Sequence, residues 1–211
     1  GIVTVDEIVD VIREEATEDF LQMAGAGKDR EILMKSSWDN ARSRLPWLFA
    51  SWVGGVCAAA IIGIFDNTLQ STLALAAFIP VVIGMGGNIG TQTSTLVVRG
   101  LATGRVNVGN NINIIFKEIR VGLILGILYG LLLGLFAIMS FVDISPYLGL
   151  VVGLGIACSM LIATAFGSLV PLLLHRMDID PAIATGPFVT TSIDILGVTL
   201  YFVIAKIFLP V

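Results

Sequence analysis

The run Leu148–Leu174, LGLVVGLGIACSMLIATAFGSLVPLLL, contains no Asp, Glu, Lys, Arg or His over 27 residues. A helix needs about 20 consecutive apolar residues to cross the hydrocarbon core of a bilayer. The run exceeds that length, so it reads as a membrane span. Outward from it, the chain repeats the pattern. Further spans are expected at Leu45–Phe65, with Pro46 suited to a first helical turn, and at Leu69–Val98, interrupted by Pro80 and a glycine cluster. Two more are expected at Ile119–Phe141 and Ala182–Leu209. The fold class expected is an all-α membrane protein with five transmembrane helices.

Composition agrees. The chain has 211 residues, of which 56% are hydrophobic and only 13% charged, against about a quarter charged in ordinary soluble domains. Ten of the sixteen acids lie ahead of residue 45, so the net charge of -4 belongs to the N-terminal segment. No basic patch suggests a nucleic-acid partner. Cys57 and Cys158 sit inside apolar runs and read as small hydrophobes. The first forty residues are acidic with helical periodicity, so no signal peptide is expected. No phosphate-binding glycine loop, zinc-spaced Cys/His set or nucleophile triad occurs.

Loop charges orient the spans. Arg42 and Arg44 precede the first; Arg99, Arg105, Lys117 and Arg120 lie between the second and third; His175 and Arg176 lie between the fourth and fifth. The loops around Asp66-Asn67 and Asp143-Ile144-Ser145 carry no Lys or Arg. The positive-inside rule then places the N-terminus in the cytoplasm of a multi-pass cell-membrane protein, with the C-terminus outside.

Ahead of the spans, Gly1-Ile-Val-Thr-Val-Asp reads as a last strand entering a final helix, the end of a truncated cytosolic domain over residues 1–24. Within it, Val5, Ile8, Val9, Ile12, Ala16 and Phe20 make one helical face, and acids make much of the rest. Those acids form either a solvated surface or a sensor for divalent cations, which clustered carboxylates bind well. Residues 25–44 read as an amphipathic linker, with a helix over 29–44 that reaches the membrane, and residues 45–211 as the transmembrane domain.

Asp194 is the main functional clue. Counted as one helix back to Pro181, it lies about 20 Å into the fifth span, near the bilayer centre. A carboxylate at that depth costs roughly 2.5–3.5 kcal/mol on insertion scales and faces a cavity, a partner or an ion path. No Lys or Arg lies within ten residues of it along the fifth span. Thr190 shares its helical face, with Gly186 and Pro187 a turn below, and Pro187 leaves the Ile183 carbonyl without its helical donor. On the same continuous-helix count, Asp180 lies about 21 Å away, near the cytoplasmic end, on roughly the same side. A structural Asp bonded to neighbouring hydroxyls is the alternative. An intramembrane aspartyl protease needs two such acids.

The second span carries a matching signal. Between Pro80 and Thr95 it combines glycines, Asn88, Gln92 and hydroxyls with no charge. Asn88, Thr91, Gln92 and Thr95 fall on about one face, and Gly86 and Gly90 permit close helix approach. Gly122, Gly126, Gly130 and Gly134, like Gly149 and Gly153, read as close packing alone. His175 belongs to the basic loop.

The run Pro80–Gly104, PVVIGMGGNIGTQTSTLVVRGLATG, resembles the second span of MgtE magnesium channels, and Asp180–Asp194, DPAIATGPFVTTSID, resembles their fifth. The start of the chain is similar to the end of a CBS domain, and Glu15-Ala-Thr-Glu-Asp19 to the junction into the family's plug helix. The resemblance covers the whole chain. It implies a homodimer with a central pore lined by the second and fifth helices, including Asn88, Thr91, Gln92, Gly186 and Pro187. It implies a hydrated Mg²⁺ at Asp194, supported by backbone oxygens near Gly87 and Thr190, and a second position at Asp180. It also makes Glu7, Asp10, Glu15, Glu18 and Asp19 candidates for regulatory Mg²⁺ sites shared with cytosolic CBS and N-terminal domains. A secondary transporter for Mn²⁺ or Co²⁺ is the alternative reading.

Overall fold

The computed structural model describes residues 3–26, 34–106, 111–141, 145 and 147–209. Residues 1–2 of the expected strand and 29–33 of the expected linker helix lie outside them. Every regular element described is helical: α1 (Val5–Met23), α2 (Ser37–Ile64), the short α3 (Asp66–Ser71), α4 (Ala74–Ala102), α5 (Asn111–Ser140), α6 (Leu148–Arg176), a 3-10 segment (Pro181–Thr185) and α7 (Pro187–Phe208). Among the described residues five helices, in α2, α4, α5, α6 and α7, are long and apolar enough to cross a membrane. The chain is thus an all-α, multi-pass membrane protein.

Local chemistry sets several boundaries. Thr4 caps α1 in a capping box with Glu7: the Thr4 N–H donates to Glu7 Oε2 at 2.7 Å, and the Glu7 N–H donates to Thr4 Oγ1 at 3.4 Å. The Thr4 N–H, with the Thr4 hydroxyl donating to the same Oε2 at 3.1 Å, holds the Glu7 carboxyl below its ordinary value of 4.5. At its other end α1 stops in a Schellman motif. The Ala26 N–H donates to Leu21 O at 2.8 Å and the Gly25 N–H to Gln22 O at 2.9 Å, with Gly25 at φ 68°.

The span edges differ from the hydropathy reading at both prolines. α2 begins at Ser37 behind the N-cap Ser36 and continues through Pro46, which therefore lies inside the helix and not in its first turn. Residues 37–44 are continuous with the first span, since nothing in Trp38–Arg44 breaks a helix. In the fifth span the break falls at Gly186. Pro187 occupies the first position of α7, where its missing N–H costs nothing, and Pro181 opens the 3-10 turn. Asp180 and Asp194 are therefore not on one continuous helix, and the angular and length estimates between them lapse.

α6 is the central helix, packed by α4, α5 and α7, while α2 lies on the outside of α7. Leu75, Phe78 and Val82 of α4 meet Val152, Ile156 and Met160 of α6 and Ile193, Tyr201 and Phe202 of α7 in one buried cluster. Two cross-helix hydrogen bonds pin it: Tyr201 donates its hydroxyl to Leu75 O at 3.1 Å, and Ser159 to Val82 O at 3.3 Å. α5 and α6 pack through their glycines. A Cβ at Gly130 would lie 2.7 Å from Gly153 O, and one at Gly134 would lie 2.7 Å from Gly149 O. The outer faces of α2 and α5 stay apolar and exposed, through Leu48, Trp52, Leu131, Leu135 and Met139 among others, as a lipid-facing surface requires.

Candidate functional site

Asp194 is the eighth of the 22 residues of α7, about 10 Å from its N-terminus at 1.5 Å per residue. Its depth is fixed by α4. A Cβ built on Gly87 would meet one described neighbour, Asp194 Oδ1, at 3.7 Å. Gly87 is the fourteenth of the 29 residues of α4, so the carboxylate stands level with the middle of a spanning helix. Gly86, next along α4, does the opposite job. It turns inward, where a Cβ would meet Ser159 Oγ at 2.6 Å and Ile193 Cγ2 at 3.1 Å. Gly90 is likewise closed over by Ile193. The glycines thus divide into a packing face, Gly86 and Gly90, and an open face at Gly87.

The polar stripe of α4 follows the open face. Asn88 and Gln92 are exposed, and Gly87, Thr91 and Thr95 are half-buried, while Thr93 and Ser94 turn inward. On α7, Gly186, Pro187, Thr190 and Asp194 are half-buried. Unlike the Leu-rich outer face of α5, this surface combines amides, hydroxyls, backbone exposed by glycine and a carboxylate. Such a surface at membrane depth is stable against water or a polar partner, not against lipid.

The hydroxyls around Asp194 are mostly turned to their own helix. Thr190 donates to Gly186 O at 3.4 Å and Pro187 O at 3.3 Å, Thr191 donates to Pro187 O, and Ser192 donates to Phe188 O at 2.7 Å. Thr91 donates to Gly87 O at 2.9 Å. These hydroxyl protons are engaged, so the oxygens of Thr190 and Thr91 are left as acceptors, which suits a cation or the water around it. Among the described residues no group of three or more His, Cys, Asp or Glu is placed to hold a metal ion. A single carboxylate with neutral oxygens fits an ion that keeps its water.

The second predicted acid lies apart from the first. Asp180 caps the 3-10 segment, accepting from the Ala182 N–H at 2.9 Å, and also accepts from Gln22 Nε2 of α1 at 2.8 Å. It borders a cavity of about 450 Å³ together with Glu15, Glu18, Asp19, Gln22, His175 and Asp178. The five N-terminal acids therefore separate. Glu15, Glu18 and Asp19 gather at this cavity. Glu7 serves the α1 cap, and Asp10 faces a different recess with Arg13, Glu14 and Thr17. Sequence reasoning missed Asp178 and Gln22. The alternation Asp178-Ile179-Asp180 was an available signal. Asp178 adopts φ 55°, a left-handed turn that Asp tolerates better than most residues. Gln22 had no signal beyond being a neutral polar residue in an acidic helix.

A family model described as a divalent cation transporter, MgtE, matches residues 79–204, a stretch running from α4 to α7 that contains Gly87, Asp180 and Asp194. The chain belongs to the MgtE family. Three curated relatives, each called "Magnesium transporter MgtE", extend the likeness beyond the matched core. The protein from Bacillus subtilis is 39% identical over 209 residues, covering 99% of this chain and 46% of the relative. That from Enterococcus faecalis is 37% identical over 212 residues, covering 99% and 45%. That from Thermus thermophilus is 35% identical over 212 residues, covering 99% and 46%. This MgtE chain thus spans about half the length of the curated relatives it matches, and its α1 and α2 are included in the similarity.

Proposed function

We propose that this chain is the membrane part of a magnesium transporter that works as a channel, with two copies enclosing one pore lined by α4 and α7. The observation that carries the reading is Asp194 against Gly87, a mid-membrane carboxylate facing a helix stripped of side chain at that level. The outward polar stripe of Asn88 and Gln92 supports a second copy, because a symmetric partner would cover it with the same polar groups and leave space for water. The relatives' printed name supports magnesium as the substrate. Mg²⁺ holds its waters at 2.0–2.1 Å, releases them reluctantly and binds through one or two carboxylates. Two Asp194 side chains across a dimer axis would balance its charge without stripping that shell, and Thr190 and Gly87 oxygens would accept from the bound waters.

The loop charges support an N-terminus in the cytoplasm, which puts the Asp180 cavity at the cytoplasmic mouth. There Glu15, Glu18 and Asp19, joined by Asp178 and Asp180, would raise the local concentration of divalent cations and attract a regulatory ion through its water shell, since no three of them converge to ligate it directly. Glu7 and Asp10 stand outside that mouth and would act only with other domains.

The test is a Mn²⁺ soak of crystals of the dimer, read by anomalous scattering. Density on the two-fold axis beside Asp194 is expected. Density confined to the mouth acids, with none beside Asp194, would remove the pore reading. Flux into liposomes under an imposed voltage separates mechanisms. A channel follows the electrochemical gradient, whereas a Mn²⁺ or Co²⁺ carrier requires a coupled ion.

A further inference from the structure

We propose that Trp47 is a positioning residue that couples the C-terminal end of α1 to the first turn of α7, and so to the ion path; the flux arm of this proposal rests on the function proposed above. Trp47 stands on α2, yet its indole lies between two backbones from other elements. Its Cβ, Cγ and Cδ1 face Gly25, at 3.5, 3.5 and 3.9 Å from a Cβ built there, and its Cε3 and Cζ3 face Gly186, both at 3.8 Å. The Cβ and five-membered ring of Trp47 thus lie beside the end of α1, and its six-membered ring lies beside the start of α7. An indole has no internal torsion, so a displacement at one edge is transmitted to the other and cannot be absorbed by rotamer change within the ring.

Both contacts fall at backbone junctions. Gly25 is the left-handed residue of the Schellman stop of α1, so its position follows the end of α1. Gly186 separates the 3-10 segment from Pro187 at the first position of α7, eight residues ahead of Asp194. A second fastener lies at the other end of the same 3-10 segment, where buried Gln22 donates to Asp180 at 2.8 Å. The five-residue segment Pro181–Thr185 is therefore held at its start by Gln22, from the last turn of α1, and at its end by Trp47 of α2, which lies beside the Gly25 stop of α1. α1 docks on the 3-10 segment, so its position fixes both ends of the element that introduces α7. Two fasteners on one short segment share their effect, so loss of either frees it and loss of both adds little. That non-additivity distinguishes a coupling device from two independent packing contacts.

The experiment is a double-mutant cycle on the full chain, with Gln22→Ala, Trp47→Leu and the pair. Leu retains a Cβ and Cγ against Gly25 but lacks the ring edge at Gly186. Trp47→Phe serves as the conservative variant, and a Gln22→Ala/Trp47→Met cycle, which also removes the ring, stands in should Trp47→Leu not fold. Hydrogen exchange over residues 182–190 and Mg²⁺ flux into liposomes are read for each. Each single change is expected to raise exchange over 182–190 and to shift flux by about threefold or more, the pair to match the larger single change, and Trp47→Phe to stay within about twofold of the parent. Effects of the pair that multiply, to about ninefold, would overturn the coupling, as would a Trp47→Leu protein that exchanges and conducts like the parent. Exchange that follows the expected pattern in a parent chain carrying no divalent flux would uphold the coupling and refute the proposed function instead.

Discussion

Gly86 and Gly87 are neighbours on α4, yet the geometry assigns them opposite roles, and replacing each with Ala separates packing from conduction. At Gly87 the new methyl meets nothing closer than Asp194 Oδ1 at 3.7 Å, an ordinary van der Waals distance. The fold loses nothing there and gains up to about 1 kcal/mol, because Ala is the better helix former. The carboxylate does not fare as well. An Mg²⁺ bound through one of its waters has its centre about 4 Å from a carboxylate oxygen, given about 2 Å to the water and about 2.6 Å from the water to the oxygen. A methyl 3.7 Å from Oδ1 stands at that same distance, so on this side of Asp194 methyl and hydrated ion exclude one another. We expect Gly87→Ala to lower Mg²⁺ flux at least tenfold, equivalent to about 1.4 kcal/mol, with thermal stability unchanged or raised. At Gly86 the methyl would come within 2.6 Å of Ser159 Oγ, and Ser159 is itself buried and bonded to Val82 O. Overpacking of this kind costs about 1–3 kcal/mol, so Gly86→Ala should melt several degrees lower in detergent. Flux into liposomes and thermal denaturation of the purified proteins check both. A Gly87→Ala protein that is stable and conducts like the parent would refute the placement of the ion beside Asp194.

Three further outcomes follow from the same structure. Gly130→Ala drives a methyl to 2.7 Å from the Gly153 carbonyl oxygen, a backbone atom that cannot swing aside, and should cost about 1–3 kcal/mol in unfolding measurements. Tyr201→Phe leaves the buried cluster filled but removes the hydroxyl bonded to Leu75 O, so a loss of about 1–3 kcal/mol with flux per folded dimer unchanged is expected. At the N-terminus of α1, the Glu7 carboxyl is held below 4.5 by Thr4. Its lowered value means that the contribution to the helix is complete above pH 4.5 and disappears as pH falls through the folded value. Acid should therefore fray the first turn of α1, and Thr4→Ala should fray it at neutral pH, both visible as faster amide exchange at residues 5–8.

The sequence made the five spans legible because lipid imposes a length and a composition on every crossing. Span edges were less legible where proline intervenes. Pro46 looked like a helix start and lies inside α2, whereas Pro187 looked like a defect within a helix and begins α7. Proline is compatible with either position, and hydropathy does not distinguish them. Asp194 was legible through its position in an apolar span. The family resemblance added Gly87, and the sorting of the α4 glycines into packed and open faces required coordinates, since a glycine carries no side chain to report its direction. The hydroxyls near Asp194 looked like lining groups, but their protons are taken by the carbonyls one turn back, the usual alternative for Ser and Thr in helices. Asp178, Gln22 and Trp47 escaped notice because their roles come from segments far apart in the chain.

The central claim, that the ion passes beside Asp194, is tested most directly by Mg²⁺ flux into liposomes carrying the Asp194→Asn protein. Asn preserves the size and shape of the side chain and removes only its charge. The account predicts a correctly folded dimer with flux at the background of empty liposomes. Asp194→Asn liposomes that take up Mg²⁺ at the parent rate would contradict it.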